Sequence, residues 1–98
     1  MKLLSIRVAH DGKHKFVATY KLDNGRQKHI RFGAVGYEDY TIHKDPMRKK
    51  RYIIRHKDRE TWYGKDAPLT PGCLSRWILW NKRTLQASIS DFKKRFKL

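Results

Sequence analysis

Cysteine is almost absent from this chain: Cys73 stands alone among 98 residues. One thiol forms no internal disulfide, so no covalent cross-link supports the fold and nothing demands an oxidising compartment. Cys73 and the scattered His10, His14, His29, His43 and His56 match no zinc-ligand spacing, so neither a metal nor another cofactor is expected. Long apolar runs are also missing. The opening MKLLSIRVAHDGKHK is broken by Ser5, Arg7 and His10, whereas a signal peptide needs an unbroken apolar stretch. No run approaches the roughly 20 residues of a membrane span. Internal repeats and low-complexity stretches are absent. These absences predict an intracellular or particle-internal soluble protein.

Acidic residues are scarce as well. Nine Asp and Glu face 24 Lys and Arg, a formal charge of +15. So much charge on a small body repels itself and collects anions such as nucleic acid, acidic protein surfaces or anionic membrane. Yet 39% of the residues are hydrophobic, with three Trp, five Tyr and four Phe. A disordered basic tail is poor in those types. The chain therefore reads as a single folded domain over residues 1–98 with a polycationic surface. Residues 1–33 hold eight bases and two acids, residues 34–66 nine and six, and residues 67–98 seven and one. The whole body is basic, and the acids sit mainly in its middle.

The first third alternates with a period of two. Leu4, Ile6 and Val8 share one predicted face, and Ser5 and Arg7 the other. Asp11-Gly12 offers a turn. Phe16, Ala18 and Tyr20 repeat the period, the Asn24-Gly25 pair signals a hairpin, and Ile30 and Phe32 continue the apolar face. Residues 1–33 thus read as a three-stranded antiparallel meander with one buried and one basic face. Gly33-Ala-Val-Gly36 is read as the turn that ends the sheet. A phosphate cradle is the less favoured alternative, because the acids Glu38 and Asp39 follow.

Two or three helices are expected over residues 45–97. Asp45-Pro46 is an N-cap followed by Pro at the first helical position, opening a helix to about Arg59 with Met47, Ile53, Ile54 and Tyr52 as its apolar residues. Trp62 to Leu69 reads as a linking loop. Thr70-Pro71 opens a second helix through Leu74, Trp77, Ile78 and Trp80. Thr84 caps a third, in which Leu85, Ile89, Phe92 and Phe96 line one face. The fold class is therefore α+β, a meander packed against two or three helices.

The sharpest candidate site is the basic helix, with Arg48, Lys49, Arg51, Arg55, Lys57 and Arg59 as polyanion or partner contacts. Its bland alternative is a solvated face. Lys93, Lys94 and Lys97 form a second basic group near a helix C-terminus, where cations also suit the helix dipole. Trp77, Trp80, Trp62 and the tyrosines offer rings on which unpaired bases could stack, but two tryptophans in an apolar helix are more often core: Trp77 reads as core, whereas Trp80 suits either the core's edge or an interface. Asp39, His43 and Asp45 lie close enough for acid–base chemistry, but no nucleophile motif accompanies them. Cys73, near a helix start, is read as buried and inert. No catalytic residue is expected.

The stretch GYEDYTIHKDPMRKKRYIIRHKDRETW, followed by LTPGCLSRWILWNKRTLQASISDFKKRF, resembles a family of small basic proteins encoded by large double-stranded DNA viruses of algae and protists. The resemblance covers about residues 32–98. It implies a virus-encoded protein found in the virion, and in the cytoplasm or nucleus of infected cells before assembly. Taken with the charge, it points to a non-enzymatic structural component, a minor capsid or internal virion protein. That protein would dock through basic surfaces on capsid or other virion proteins, DNA or anionic membrane, with no small-molecule substrate. The alternative is a small DNA- or RNA-binding protein without sequence preference.

Overall fold

The alternating apolar residues do form strands. In the computed structural model, which describes residues 1–98, β1 (Lys2–Val8), β2 (His14–Lys21) and β3 (Gln27–Ala34) make an antiparallel sheet in the order β1-β2-β3. Ala18, Tyr20, Ile30 and Phe32 are buried on one face as expected. β1 departs from its simple period. The register shifts between Leu3, opposite Tyr20, and Ser5, opposite Thr19. This bulge turns Leu3 into the core and leaves Leu4 exposed, so the expected Leu4/Ile6/Val8 face is corrected to Leu3 and Ile6. Val8 lies opposite Phe16 but at the end of the strand, where nothing covers it.

The turns are built by side chains with short reach. The Asp11 carboxylate accepts the backbone N–H groups of Lys13 and His14, at 2.9 and 2.8 Å. The His14 N–H bond above all, then the His14 ring 2.7 Å away and the Lys13 N–H, hold its carboxyl well below the usual range. The second hairpin is closed by Leu22 N–H donating to Arg26 O at 2.8 Å. Only Gly25 has positive φ there, so the loop is Asp23-Asn24-Gly25 with one left-handed residue, not a two-residue Asn-Gly turn.

The helical part begins earlier than residue 45. Asp39 caps a short α1 (Tyr40–His43), and Asp45 caps α2 (Pro46–His56), three residues shorter than expected. The segment from Trp62 is more than a linker. Trp62 is buried, and Ala67–Leu69 form a 3₁₀ turn whose Pro68 carbonyl accepts the Tyr20 hydroxyl at 2.6 Å. Thr70 caps α3 (Pro71–Leu74), which runs on as a π-helical turn, Ser75–Leu79. Thr84 caps α4 (Leu85–Phe96). The architecture is α+β: a three-stranded meander followed by four helices. Ala67, Cys73, Leu74, Trp77, Ile78, Leu79 and Phe92 close over the sheet's apolar face in one core. No helix is long and apolar enough to cross a membrane.

Candidate anion-binding groove

α2 is held by one narrow face. Tyr52 is buried, and its ring stacks on Trp80 with centroids 4.3 Å apart and planes 2° from parallel. It also stacks on His56 at 4.4 Å. Trp80, half-buried and 5.3 Å from the His43 ring, is thus the seat of α2 at the end of the π turn. Met47 and Ile54, expected among the helix's apolar residues, are exposed instead.

Lys49 corrects the expected outward row of bases. Its ammonium turns inward, donates to Asn81 O at 2.7 Å and lies 4.9 Å from the centre of the Tyr40 ring. Burial, then the charges of Arg76 and Lys82, lower its pKa. Lys49 thus tethers α2 to the body of the protein.

The arginines behave differently. Arg48, Arg51, Arg55 and Arg59 recur at i, i+3, i+7 and i+11, and all four are exposed along one wall of a groove of about 710 Å³. Arg59 joins the row although α2 has ended, because the chain turns on at the same pitch: Arg59 and Glu60 N–H both donate to His56 O. The groove's other wall is the end of β3 and the segment that follows it, with Gly33, Ala34, Tyr37, Glu38 and Asp39. Lys15, Ser75, Leu79 and Trp80 complete the lining. Gly33 allows this close approach. It has φ +77°, and a Cβ there would meet Leu79 Cδ1 at 2.9 Å and Lys15 Cβ at 3.2 Å.

The groove's charges are unequally matched. Asp39 is buried and fully engaged: it accepts Thr41 N–H at 2.9 Å and Lys15 Nζ at 2.7 Å. Arg48 pairs across the groove with Glu38 at 3.4 Å. Arg51, Arg55 and Arg59 have no carboxylate within ion-pair distance. Three guanidiniums about one helical turn apart, without carboxylate partners and facing a concave space, have the chemistry to hold a row of anionic oxygens.

The remaining sequence candidates stand elsewhere. Lys57 is exposed beyond the last turn of α2, outside the groove. Lys93, Lys94 and Lys97 are exposed at the end of α4, which the structure does not bring to the α2 row. Lys97 instead borders a second cleft that also holds Asp23 and Asp66. The Asp39/His43/Asp45 cluster forms no catalytic pair. His43 Nδ1 accepts the Asp45 backbone N–H at 3.0 Å, while both carboxylates cap helices. Cys73 is fully buried with its thiol toward Trp62 O, and burial pushes its pKa up to about 12. No three His, Cys, Asp or Glu side chains stand together as a metal site would require.

Sequence reasoning missed Tyr37 and Lys15 as parts of the groove. The turn signal Gly33–Gly36 marks where the chain reverses, but not that the reversal brings Tyr37 beside α2.

The protein is thus a small α+β domain whose main concavity is walled by arginine. Residues 4–56 match a protein family described as "Family of unknown function (DUF5754)", and the chain belongs to that family. The match spans the sheet, α1 and α2, and so includes Tyr37, Arg48, Arg51 and Arg55. No curated protein and no solved structure matches the chain.

Proposed function

We propose that this protein binds the phosphate backbone of nucleic acid, without sequence preference and without catalysis. The observation that carries the reading is the row Arg51, Arg55 and Arg59, free of carboxylate partners along one wall of the groove. Guanidinium forks match phosphate oxygens two at a time, and neutralising phosphates releases counterions. Nothing in the row offers the positioned helix and base-reading side chains of a sequence-specific binder.

Binding to two nucleic acids of unrelated sequence should therefore be similar and should weaken steeply with salt. Each phosphate that a guanidinium neutralises adds about 0.7–0.9 to the slope of log K against log salt. Replacing Arg51, Arg55 and Arg59 together by Gln should therefore lower that slope by about 2–3. Anisotropy titrations over a salt series test this. Binding insensitive to salt, or unchanged in the triple variant, would overturn the proposal.

A second reading is a structural component of a large DNA virus particle, docking on acidic partners. Its support is the resemblance of residues 32–98 and the charge outside the groove on α4. The exposed Val8, Val35 and Ile42, set around a notch of about 320 Å³, add an apolar patch of the kind partner surfaces use.

A further inference from the structure

We propose that the nucleic acid taken by this groove is single-stranded, with an unpaired base lying on Tyr37. The inference rests on the phosphate-binding reading above and names its ligand class.

The two walls of the groove differ in chemistry. The α2 wall carries the guanidiniums of Arg51, Arg55 and Arg59, none of them paired with a carboxylate, with Arg51 and Arg55 about 6 Å apart along the helix axis. The facing wall carries Tyr37 and the carboxylate of Glu38. A phosphate chain is drawn to the first wall, whereas the second offers it no free cation, its Glu38 being paired with Arg48 and its Asp39 with Lys15. A strand lying in the groove is thereby oriented, phosphates toward α2 and bases toward Tyr37.

Tyr37 is the most exposed large hydrophobic side chain of the molecule, at 74%. The other aromatic rings of this region are already engaged: Tyr52 with Trp80 and His56, Tyr40 with His43, Trp77 with Tyr63. Tyr37 takes part in no aromatic pair, so its ring face is open to a ligand. Its position is set by the end of β3 and the turn after it, where Gly33 and Gly36 respectively have positive φ.

An exposed ring beside a cationic row is the arrangement on which single strands stack their bases while their phosphates are neutralised. A duplex keeps its base faces inside and presents backbone only. It can meet the arginines, but it gains nothing from Tyr37. Stacking is tolerant of base identity, because every base has a π face, so the absence of sequence preference is retained.

The test uses the full chain and fluorescence anisotropy, with a labelled oligothymidylate of about 15 nucleotides and a duplex of the same length. The single strand should bind more tightly at matched salt. Tyr37→Ala should weaken single-strand binding about 5- to 150-fold and leave duplex binding within about twofold, while Tyr37→Phe should retain both. Because Tyr37 is exposed, both variants should melt like the wild type. Equal wild-type affinity for the two probes, or an Ala variant that weakens both alike or neither, would overturn the single-strand assignment. The phosphate-binding reading would then still stand if the triple arginine variant lost both probes. Failure of the wild type to bind either probe would overturn both.

Discussion

Cys73 shows how burial alone sets the chemistry of a side chain. Thr70 caps the helix it stands in, and a helix start ordinarily favours a thiolate. Here the thiol is 0% exposed, surrounded by core, and its pKa rises to about 12 from 9.0. The folded chain therefore keeps a proton that the unfolded chain releases above about pH 9. Stability must fall as pH climbs through that window, because the unfolded state binds fewer protons there. Comparing wild type with Cys73→Ala isolates this contribution from the many other groups that titrate at alkaline pH. The wild type should lose about 2–3 kcal/mol relative to the variant between about pH 8 and pH 11. Denaturant melts at the two pH values measure it. A stability gap that does not change with pH would mean that the thiol ionises normally in the fold. At the same scale Lys49 is a base drawn inward to the Asn81 carbonyl, and Arg48 is neutralised by Glu38. Neighbouring residues of one basic run thus hold different jobs.

At the scale of the element, α2 is an uneasy helix. Arg48, Arg51, Arg55 and Arg59 stand three or four residues apart, and each like-charged neighbour pair costs about 0.2–0.5 kcal/mol. No acid lies in its first turn to offset them, although the Asp45 side chain accepts the Met47 and Arg48 N–H groups. What keeps α2 in place is its contact with the body through Tyr52 on Trp80 and Lys49 on Asn81. An anion in the groove removes the repulsion and binds only the folded arrangement, so it must stabilise the protein. Inorganic pyrophosphate should therefore raise the Tm of the wild type more than that of the Arg51→Gln, Arg55→Gln, Arg59→Gln variant at equal ionic strength. The unliganded triple variant should be at least as stable as the wild type. Thermal melts by circular dichroism provide both readings. Equal shifts in the two proteins would show that the arginine row is not where pyrophosphate acts.

For the whole molecule, a charge of +15 over 98 residues favours acidic partners and opposes association with another copy of the chain. The charge is distributed, but its chemistry is not uniform. Lys57, Lys93 and Lys94 are solvated at element ends, whereas the α2 arginines are gathered at a concavity. That contrast matters to the particle-component reading, since docking on an acidic protein surface should use the same arginines. Arg51→Glu, Arg55→Glu and Arg59→Glu together reverse the wall without touching the Arg48–Glu38 pair or the core. The fold should survive. On that reading the variant should be depleted from purified virions made in infected cells, as measured by mass spectrometry. Normal copy number would overturn docking through α2.

The backbone plan was legible from local sequence. Alternation at Phe16, Ala18 and Tyr20, the Asp45-Pro46 and Thr70-Pro71 starts, and the Leu85/Ile89/Phe92/Phe96 stripe each express a rule that acts within a few residues. They suffice for the meander, for α2 and α4 and for the helical stretch from Pro71 to Leu79, and the row of bases on α2 follows from helical period. The β1 bulge did not follow, because Leu3 and Leu4 are equally apolar and only the fit against Tyr20 chooses between them. Nor did α1, whose four residues are too short to show a period and depend on Asp39 held by Lys15 from another strand. The groove itself belongs to tertiary structure alone. Tyr37, Arg55 and Trp80 come from three separate stretches of the chain, and they meet because the Tyr52–Trp80 stack fixes the angle of α2 beside the close approach that Gly33 permits. Local sequence sets which residues a helix presents. Long-range packing sets what they face, and for this protein that decides which bases are tethers and which remain free to bind.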